Sequence, residues 1–491
     1  MLISSPIGSS DATATSPAGI LPGVDLVLPS GYWSRIRAEL LSDTSRESIC
    51  HLLCGQSQVG DRLRLLACYL VVPQADDYVS QSLQQLQLHS SYDLSLRDEC
   101  QRSQLSLIDL HSHPMEDGPV HFSHLDDRDE WEKFRYFQRN LPGLCYGSVV
   151  LGRHATAGRV FLPQAGSPEP RVVPLRIVRR DTPLGETPEE DRVRDGEERF
   201  DRQVRAFGAA GQRNLASLQV GIIGLGGLGS LLALGLTRLG VRRFVLVDPD
   251  RASITNLNRV AGMSQADVQQ QTTKVDLVAR RMLEIDPQLD VERRAVDLFE
   301  PPGWQAVRGV DLLVVATDNH ASRMLANALA QQYLIPLVSV GTRIQTRDGG
   351  LENGFAEFYS ILPGQSAPCL LCSHMINATE AFYDLASEES RRRAAARGYI
   401  TEWDEPAPSV VHLNGVIANL AMVEIHNLCC GFMTPQSHLL YTLKERRLLS
   451  IDHEPGHCAA CAPDGWNFAR GDRVDPVAQL FPHAVPEVAL P

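Results

Sequence analysis

No stretch of this 491-residue sequence approaches the ~20 consecutive apolar residues that cross a bilayer, so no contact with membrane is expected. The N-terminus, MLISSPIGSSDATATSPAG, lacks the basic start and apolar core of a secretory signal; residues 1–19 are expected to form a loose leader. Positive charge is also short. Lys and Arg number 46 against 59 Asp and Glu, a formal charge of −13. An acidic surface repels phosphate backbones, which argues against nucleic acid as a primary partner but leaves room for a local nucleotide pocket. Internal repeats and collagen-like or coiled-coil composition are absent, and 43% hydrophobic with 21% charged residues describes ordinary globular protein. The 11 cysteines are odd in number and unevenly placed. Without a secretory signal the expected setting is reducing and cytoplasmic, where paired cysteines point to metal or catalysis before disulfides.

One composition break organises the chain. Residues 179–198, RRDTPLGETPEEDRVRDGEE, are charged, nearly free of apolar side chains, and carry Pro and Gly. Such a segment cannot pack, so it reads as an exposed acidic linker. It separates an N-terminal part near 20–178 from a C-terminal part near 199–475, with 476–491 as a Pro- and Ala-rich tail. The N-terminal part reads as mixed α+β, with strands at Leu63–Val72, Leu105–Leu110, Ser148–Leu151 and Gly158–Leu162. The C-terminal part alternates strand, glycine turn and helix. Strand Gln219–Ile223 leads to Gly224–Gly229 and an apolar helix to Leu239, with Gly240 as its C-cap. Strands at Phe244–Val247, Val291–Val296, Asp311–Ala316 and Pro336–Val340 come next. That alternation predicts an α/β fold with a doubly wound, Rossmann-like parallel sheet.

The N-terminal part holds a metal-ligand pattern. His111 and His113 lie two apart at a strand end, so both imidazoles face one side and can share an ion. Asp126 comes shortly after, in Phe122-Ser-His-Leu-Asp126. Two histidines and a carboxylate leave a fourth zinc position open for water, as hydrolysis requires. Glu47 stands upstream, and a carboxylate beside zinc-bound water can act as general base and then protonate a leaving amine. In order, Glu47, then His111-Ser-His113-Pro, then Ser123-x-x-Asp126 resembles the JAMM (MPN/JAB) metalloprotease family over roughly residues 20–178. The resemblance implies zinc on His111, His113 and Asp126, Glu47 as base, and Ser123 helping to hold the tetrahedral intermediate. It implies cleavage of peptide or isopeptide bonds after the C-terminal glycine of a ubiquitin-like protein. Nine residues separate His113 from Ser123, a longer loop than the family's usual spacing. Asp126 and Asp127 therefore both stand as the third ligand.

The C-terminal part holds a nucleotide pattern. Gly224-Leu-Gly226-Gly227-Leu-Gly229 continues from a strand and opens a helix, which lets backbone N–H groups and the helix N-terminus meet phosphate. Asp248 ends the second strand, where it can grip ribose hydroxyls. A hydride-transfer enzyme would share these features. It would not need the set of polar residues further along the chain: Asp250, Asn256, Arg259, Lys274 and, after another strand, Asp318. Converging cations offset charge on ATP phosphates, and a carboxylate carries Mg²⁺. With Arg199-Phe-Asp-Arg202-Gln upstream, the series is similar to the ThiF/MoeB and ubiquitin-activating enzyme family, from Arg199 to about Cys461. The resemblance implies ribose on Asp248, phosphates on Asn256, Arg259 and Lys274, and Mg²⁺ on Asp318. Arg202 would reach the neighbouring subunit's ATP, which implies a homodimer. Cys369-x-x-Cys372 and Cys458-x-x-Cys461 make a closed four-thiolate zinc site, structural because no position remains for water.

Residues 373–428, where full ubiquitin-activating enzymes usually carry their thioester cysteine, contain none. Cys429 and Cys430, at the end of an apolar helix, are expected to be buried, as free cysteine generally is. Their helix end should raise the thiol pKa further. Ser387–Arg397 reads as a charged helix and a possible lid. The expectation is thus a bifunctional enzyme of a ubiquitin-like pathway, with a zinc peptidase and an ATP-dependent adenylyltransferase in one chain. Its partner would end in glycine, with a conjugating enzyme or sulfur donor downstream. The alternatives are sulfur-carrier activation for cofactor biosynthesis, a non-catalytic module that binds a ubiquitin-like protein, and a NAD-dependent oxidoreductase.

Overall fold

The computed structural model describes residues 23–482, apart from 84, 165–166, 168, 182, 185–197, 365–367, 399–407 and 455. The expected leader and most of the acidic linker lie outside the described residues; at the linker's start Arg180 and Leu184 are buried, and Arg180 donates to Leu334 O at 2.9 Å, which corrects the expectation that the whole segment is exposed. The N-terminal half runs β1 (Val24–Leu28), α1 (Tyr32–Leu41), β2 (Ile49–Val59), β3 (Arg62–Val71), β4 (Tyr78–Gln81), β5 (Leu86–Leu88), α2 (Ser90–Ser103), β6 (Ser106–Ser112), α3 (His124–Asn140), β7 (Tyr146–Leu151), β8 (Thr156–Leu162) and β9 (Arg171–Arg179). Seven strands close a barrel in the order β1-β3-β2-β6-β7-β8-β9, and β9 returns to pair in parallel with β1. Alternate residues serve two cores, as strand geometry dictates. Leu26, Leu52, Ile108 and Val149 pack with Ile36 and Leu40 of α1. Leu53, Leu107 and Tyr146 pack instead with Phe134 and Phe137 of α3.

The C-terminal half continues with α4 (Asp201–Ser217), β10 (Gln219–Ile223), α5 (Gly227–Leu239), β11 (Arg243–Val247), α6 (Gln265–Gln270), α7 (Lys274–Ile285), β12 (Asp290–Arg294), α8 (Pro301–Val307), β13 (Leu312–Val315), α9 (His320–Gln332), β14 (Leu337–Arg347) and β15 (Gly350–Ile361). It ends with α10 (Ala378–Asp384), α11 (Glu388–Ala396), α12 (Val411–Cys430), β16 (His438–Thr442), β17 (Arg447–Ser450) and α13 (Pro476–Leu480). The sheet order is β12-β11-β10-β13-β14-β15-β16-β17. Neighbours from β12 to β14 are parallel. The last three strands are antiparallel, which corrects the expectation of a wholly parallel sheet. The cause is local. Asp348 (φ 51°) and Gly349 (φ 74°) both adopt positive φ, which the tight Asp-Gly hairpin between β14 and β15 requires. α12 is long and apolar enough to pass for a membrane span, contrary to the sequence reading, but 61% of its most apolar stretch is buried inside the protein. It packs on α5, β14 and β15.

A seam joins the halves. Residues 467–475 run between α9 and the barrel. The Ala469 and Gly471 N–H groups donate to the Gln331 and Gln332 carbonyls, and Gly471 forms a parallel bridge with Gln56. Asp472 accepts from the Gln58 N–H at 2.7 Å and from Ser57 and Arg308 at 3.1 Å each. Gly471 has φ +60°, and a Cβ there would lie 2.0 Å from the Gln56 carbonyl oxygen. Beyond the seam, Val477 and Phe481 are buried with α13. Pro476–Leu480 is therefore a packed helix, closed by the buried Phe481, and not the start of the expected loose tail; 483–491 lie outside the described residues.

Candidate functional site

The nucleotide pattern gathers at the carboxyl ends of β10, β11 and β13, where the strand order reverses. That crevice is where open α/β sheets bind ligands. Gly224 leaves β10 at φ +85°, and a Cβ there would meet the Ala316 carbonyl at 3.0 Å. Gly229 has even less room, with the Gly224 oxygen 1.8 Å from an added Cβ, while a Cβ on Gly226 meets nothing within 4 Å. The turn is therefore packed against protein on one side and open at Gly226, the N-cap of α5.

Asp248 secures this turn. It is 4% exposed, and its two carboxylate oxygens accept from the Leu225 N–H at 2.6 Å and the Asp250 N–H at 2.8 Å. Burial raises its pKa, against the pull of Lys274. Lys274 begins α7, with Nζ 2.7 Å from the exposed Asp250 carboxylate and 4.0 Å from Asp248. The Arg259 stem lies 3.3 Å from where a Cβ on Gly227 would sit, and its guanidinium donates to Thr255 O at 2.6 Å. Asn256 accepts from Ser253 Oγ at 3.0 Å. Asp318 is exposed at the end of β13, and Arg202 is exposed in the first turn of α4.

Two residues of this cleft escaped the sequence reading. Arg323 donates through Nε and a terminal nitrogen to the Thr317 carbonyl at 3.2 and 3.0 Å and to Val340 O at 3.3 Å, so it braces the Asp318 loop from below. Its signal was an arginine one turn into the helix that Asn319 caps. Asn414 of α12 is 1% exposed, with its amide nitrogen 2.3 Å from an added Gly227 Cβ. It was hidden because α12 lies far along the chain.

Cys369, Cys372, Cys458 and Cys461 converge, with four of their Sγ separations between 3.6 and 3.9 Å. A tetrahedron of thiolates 2.3 Å from zinc has edges of about 3.8 Å, so the donor set fits that ion. Asn327 of α9 donates to Cys369 Sγ at 3.6 Å, as an outer-shell partner would.

The histidine pattern converges on the α3 side of the barrel. Antiparallel pairing sets Ile49 opposite His111, which carries Glu47 to the level of His113. His111 Nε2 is 3.4 Å from Asp126 Oδ1, and His113 Nε2 is 3.8 Å from Asp126 Oδ2. Ligands 2.0–2.1 Å from zinc would sit about 3.3 Å apart. His111 Nε2 is buried without a hydrogen-bond partner, so the set fits a cation slightly more open than its bound geometry. Asp126, not Asp127, faces the pair; Asp127 is held by Arg159 at 2.7 Å. Ser123 caps α3, its Oγ accepting from the Asp126 N–H at 3.2 Å while its own N–H donates to Asp126 Oδ2 at 2.6 Å. Burial pushes Asp126 up, but the His111 imidazole and the Ser123 amide outweigh it and hold the carboxyl well below the usual range. Burial carries Glu47 up to about 7, with His111 pulling the other way. A cleft of about 1040 Å³ opens here, and Asp109, Glu130, Lys133 and Tyr146 extend it inward. Asp109 is a buried hub that sequence reasoning missed. It accepts from Lys133 at 2.5 Å and Tyr146 at 3.0 Å and lies 2.7 Å from His51 Nδ1.

The remaining thiols sit apart from this chemistry. Cys50, Cys54, Cys68, Cys100 and Cys145 are buried. Cys429 is fully buried and its thiol is pushed far up; Cys430 is half-buried and pushed up to about 11. Burial is the dominant cause, so the weight placed on the helix end is corrected.

The ThiF family model matches residues 200–458, leaving the barrel outside the match. The sulfur carrier protein ThiS adenylyltransferase of Bacillus subtilis (strain 168) is 28% identical over 176 residues, 35% of this chain and 49% of that protein. The adenylyltransferase and sulfurtransferase MOCS3 of Aedes aegypti is 33% identical over 149 residues, 30% of this chain and 33% of that protein. The chain thus spans about half the length of the first relative and a third of the second. A crystal structure of E. coli MccB with ATP has a TM-score of 0.42 at 21% identity, covering 54% of this chain and 74% of that one.

Proposed function

This chain belongs to the ThiF family, and on that footing we propose that it uses ATP to adenylate the C-terminal carboxylate of a small ubiquitin-like or sulfur-carrier protein ending in glycine. The observation that carries the reading is the convergence of the open Gly226 turn, Arg259 and Lys274 beside Asp248. In the reaction a carboxylate oxygen of the partner attacks the α-phosphorus, the bond to the bridging oxygen breaks, and pyrophosphate leaves. Backbone N–H groups of the glycine turn and the α5 N-terminus hold phosphate. Lys274 exchanges Asp250 for phosphate, and with Arg259 and Asn256 offsets the charge that gathers on pyrophosphate. Asp248 orients the ribose. Mg²⁺ at Asp318 would neutralise the leaving group. The four cysteines would hold a structural zinc, and Arg202 would serve a second subunit's site in a homodimer. Among the described residues of the adenylating half no thiol is placed for thioester chemistry, so the acyl-adenylate passes to a sulfur donor or to a nucleophile on another protein. ATP–pyrophosphate exchange tests this. Exchange should require the glycine-ending partner and should vanish in Asp318→Ala and Arg259→Ala with melting unchanged. Exchange that survives both substitutions would sink the mechanism.

A second activity in the barrel is favoured by the convergence of His111, His113 and Asp126, whose donor atoms lie within 4.8 Å of one another. On this reading His111, His113 and Asp126 would hold zinc, and the chemistry supplied there would be Lewis-acid polarisation of a scissile carbonyl and a water. Glu47 takes the proton from water as the water oxygen bonds to the carbonyl carbon, Ser123 steadies the tetrahedral stage, and Glu47 returns the proton to the amine as the carbon–nitrogen bond breaks. The bond cut lies after the glycine that the other half activates. Glu47→Gln should slow cleavage of a ubiquitin-like fusion by ~10²–10⁴ while exchange continues; equal cleavage by both forms would end the peptidase reading.

A further inference from the structure

α3 presents two adjacent aspartates, and only Asp126 faces the histidine pair. The selection is made from β8. Arg159 donates through Nε to Glu130 at 2.8 Å and through a terminal nitrogen to Asp127 at 2.7 Å. Its guanidinium also lies 3.8 Å over the ring of Phe122, the residue before the Ser123 cap. One side chain thus grips the first two turns of α3 and the loop that feeds it. Round the helix axis Asp126 and Asp127 stand about 100° apart, with Glu130 between them on the next turn. With Asp127 and Glu130 tied to β8, the azimuth of α3 is set so that Asp126 points at His111 and His113. Lys133 supplies a second tie, to Asp109 on the same strand as His111.

We propose that Arg159 is a positioning residue of the barrel's metal centre, which orients α3 so that Asp126, and not Asp127, completes the ligand set. The proposal rests on the reading of His111, His113 and Asp126 as a zinc site. Arg159 is no ligand itself, since a guanidinium offers no lone pair. Its planar fork meets two carboxylates and an aromatic face at once. A lysine keeps the charge but lacks the planar fork that spans both carboxylates and stacks on the ring, so replacement by lysine should restore only part of the effect.

The test uses the full chain with zinc kept in the four-cysteine site. Affinity at the barrel site is measured by chelator competition, and its ligand set by the visible spectrum of cobalt placed there. Arg159→Gln should weaken zinc binding by roughly 10–100-fold, the range for loss of an outer-shell partner. Arg159→Lys should fall between it and wild type. Asp127→Asn should cost less than Asp126→Asn. The cobalt band of Arg159→Gln should move toward that of Asp126→Asn, a change that general loosening of the barrel would not produce. Binding by Arg159→Gln and Arg159→Lys within about twofold of wild type, with an unchanged cobalt spectrum, would overturn the proposal if Asp126→Asn still loses the metal. If His111→Ala and Asp126→Asn both keep it, the metal reading falls and takes this proposal with it.

Discussion

Replacing Asp248 by asparagine tests how the glycine turn is held. The substitution keeps shape and volume but leaves one acceptor where there were two. The shorter contact, 2.6 Å to the Leu225 N–H, should retain the oxygen. The amide NH₂ then confronts the Asp250 N–H, which had donated at 2.8 Å. A donor orphaned at a site this buried costs about 1–3 kcal/mol. Conversion of the Leu225 bond from charged to neutral removes about 1 kcal/mol more. Against this, burial already disfavours the Asp248 charge, so neutralising it returns part of the loss. Lys274 keeps its closer partner, Asp250. The net expectation is about 2 kcal/mol, or a melting temperature lower by about 4–8 °C for a half of this size. If the lost order lies in the turn, ATP affinity falls by up to about 30-fold. Differential scanning calorimetry and ATP titration measure the two effects, with Asp250→Asn as an exposed control for melting alone, since it also frees Lys274. An Asp248→Asn protein that melts within about 1 °C of wild type and binds ATP equally well would refute the clamp.

Glu424, in the core of α12, gives a pH test. Burial raises its carboxyl to about 7, partly opposed by the Gln436 amide. Its folded pKa lies above its unfolded one. Its stabilising contribution is therefore complete below about pH 4.5 and is lost as pH rises through about 7. Glu424→Gln should gain up to about 3 kcal/mol on wild type between pH 5 and pH 8, read as converging or crossing melting curves; a difference that does not vary with pH would contradict the assignment. Cys458→Ser should remove one zinc by elemental analysis. It should also loosen the barrel, because the seam comes directly after it in sequence, and faster proteolysis confined to the C-terminal half would show the seam to be independent of the metal.

What could be read from the sequence is what short spacing encodes. The glycine turn, the paired CxxC motifs and the His111/His113 pair each fall within a few residues, and strand or turn geometry alone gives their side chains a common target. The Asp-Gly turn at 348–349 was equally local, and attention to it would have revealed the antiparallel strands. The choice between Asp126 and Asp127 had no local sign, because it is made by Arg159, 32 residues away in the chain. The Asp109 hub joins residues from β2, β6, α3 and β7, each an unremarkable polar position in its own segment. Charged pairs carry no periodic signature, so a reading built on hydrophobic period and motif spacing passes over them.

The seam also sets a timetable. Asp472 holds Gln58 across 414 residues of sequence. At about 5–20 residues per second, the barrel strand β2 waits roughly 20–80 s on the ribosome before the segment that covers it is made. For that interval the barrel shows a hydrogen-bonding edge at Gln56 and Gln58 and an uncovered apolar patch around Cys68. A nascent chain in this state offers chaperones, or other copies of itself, a surface that the finished protein conceals.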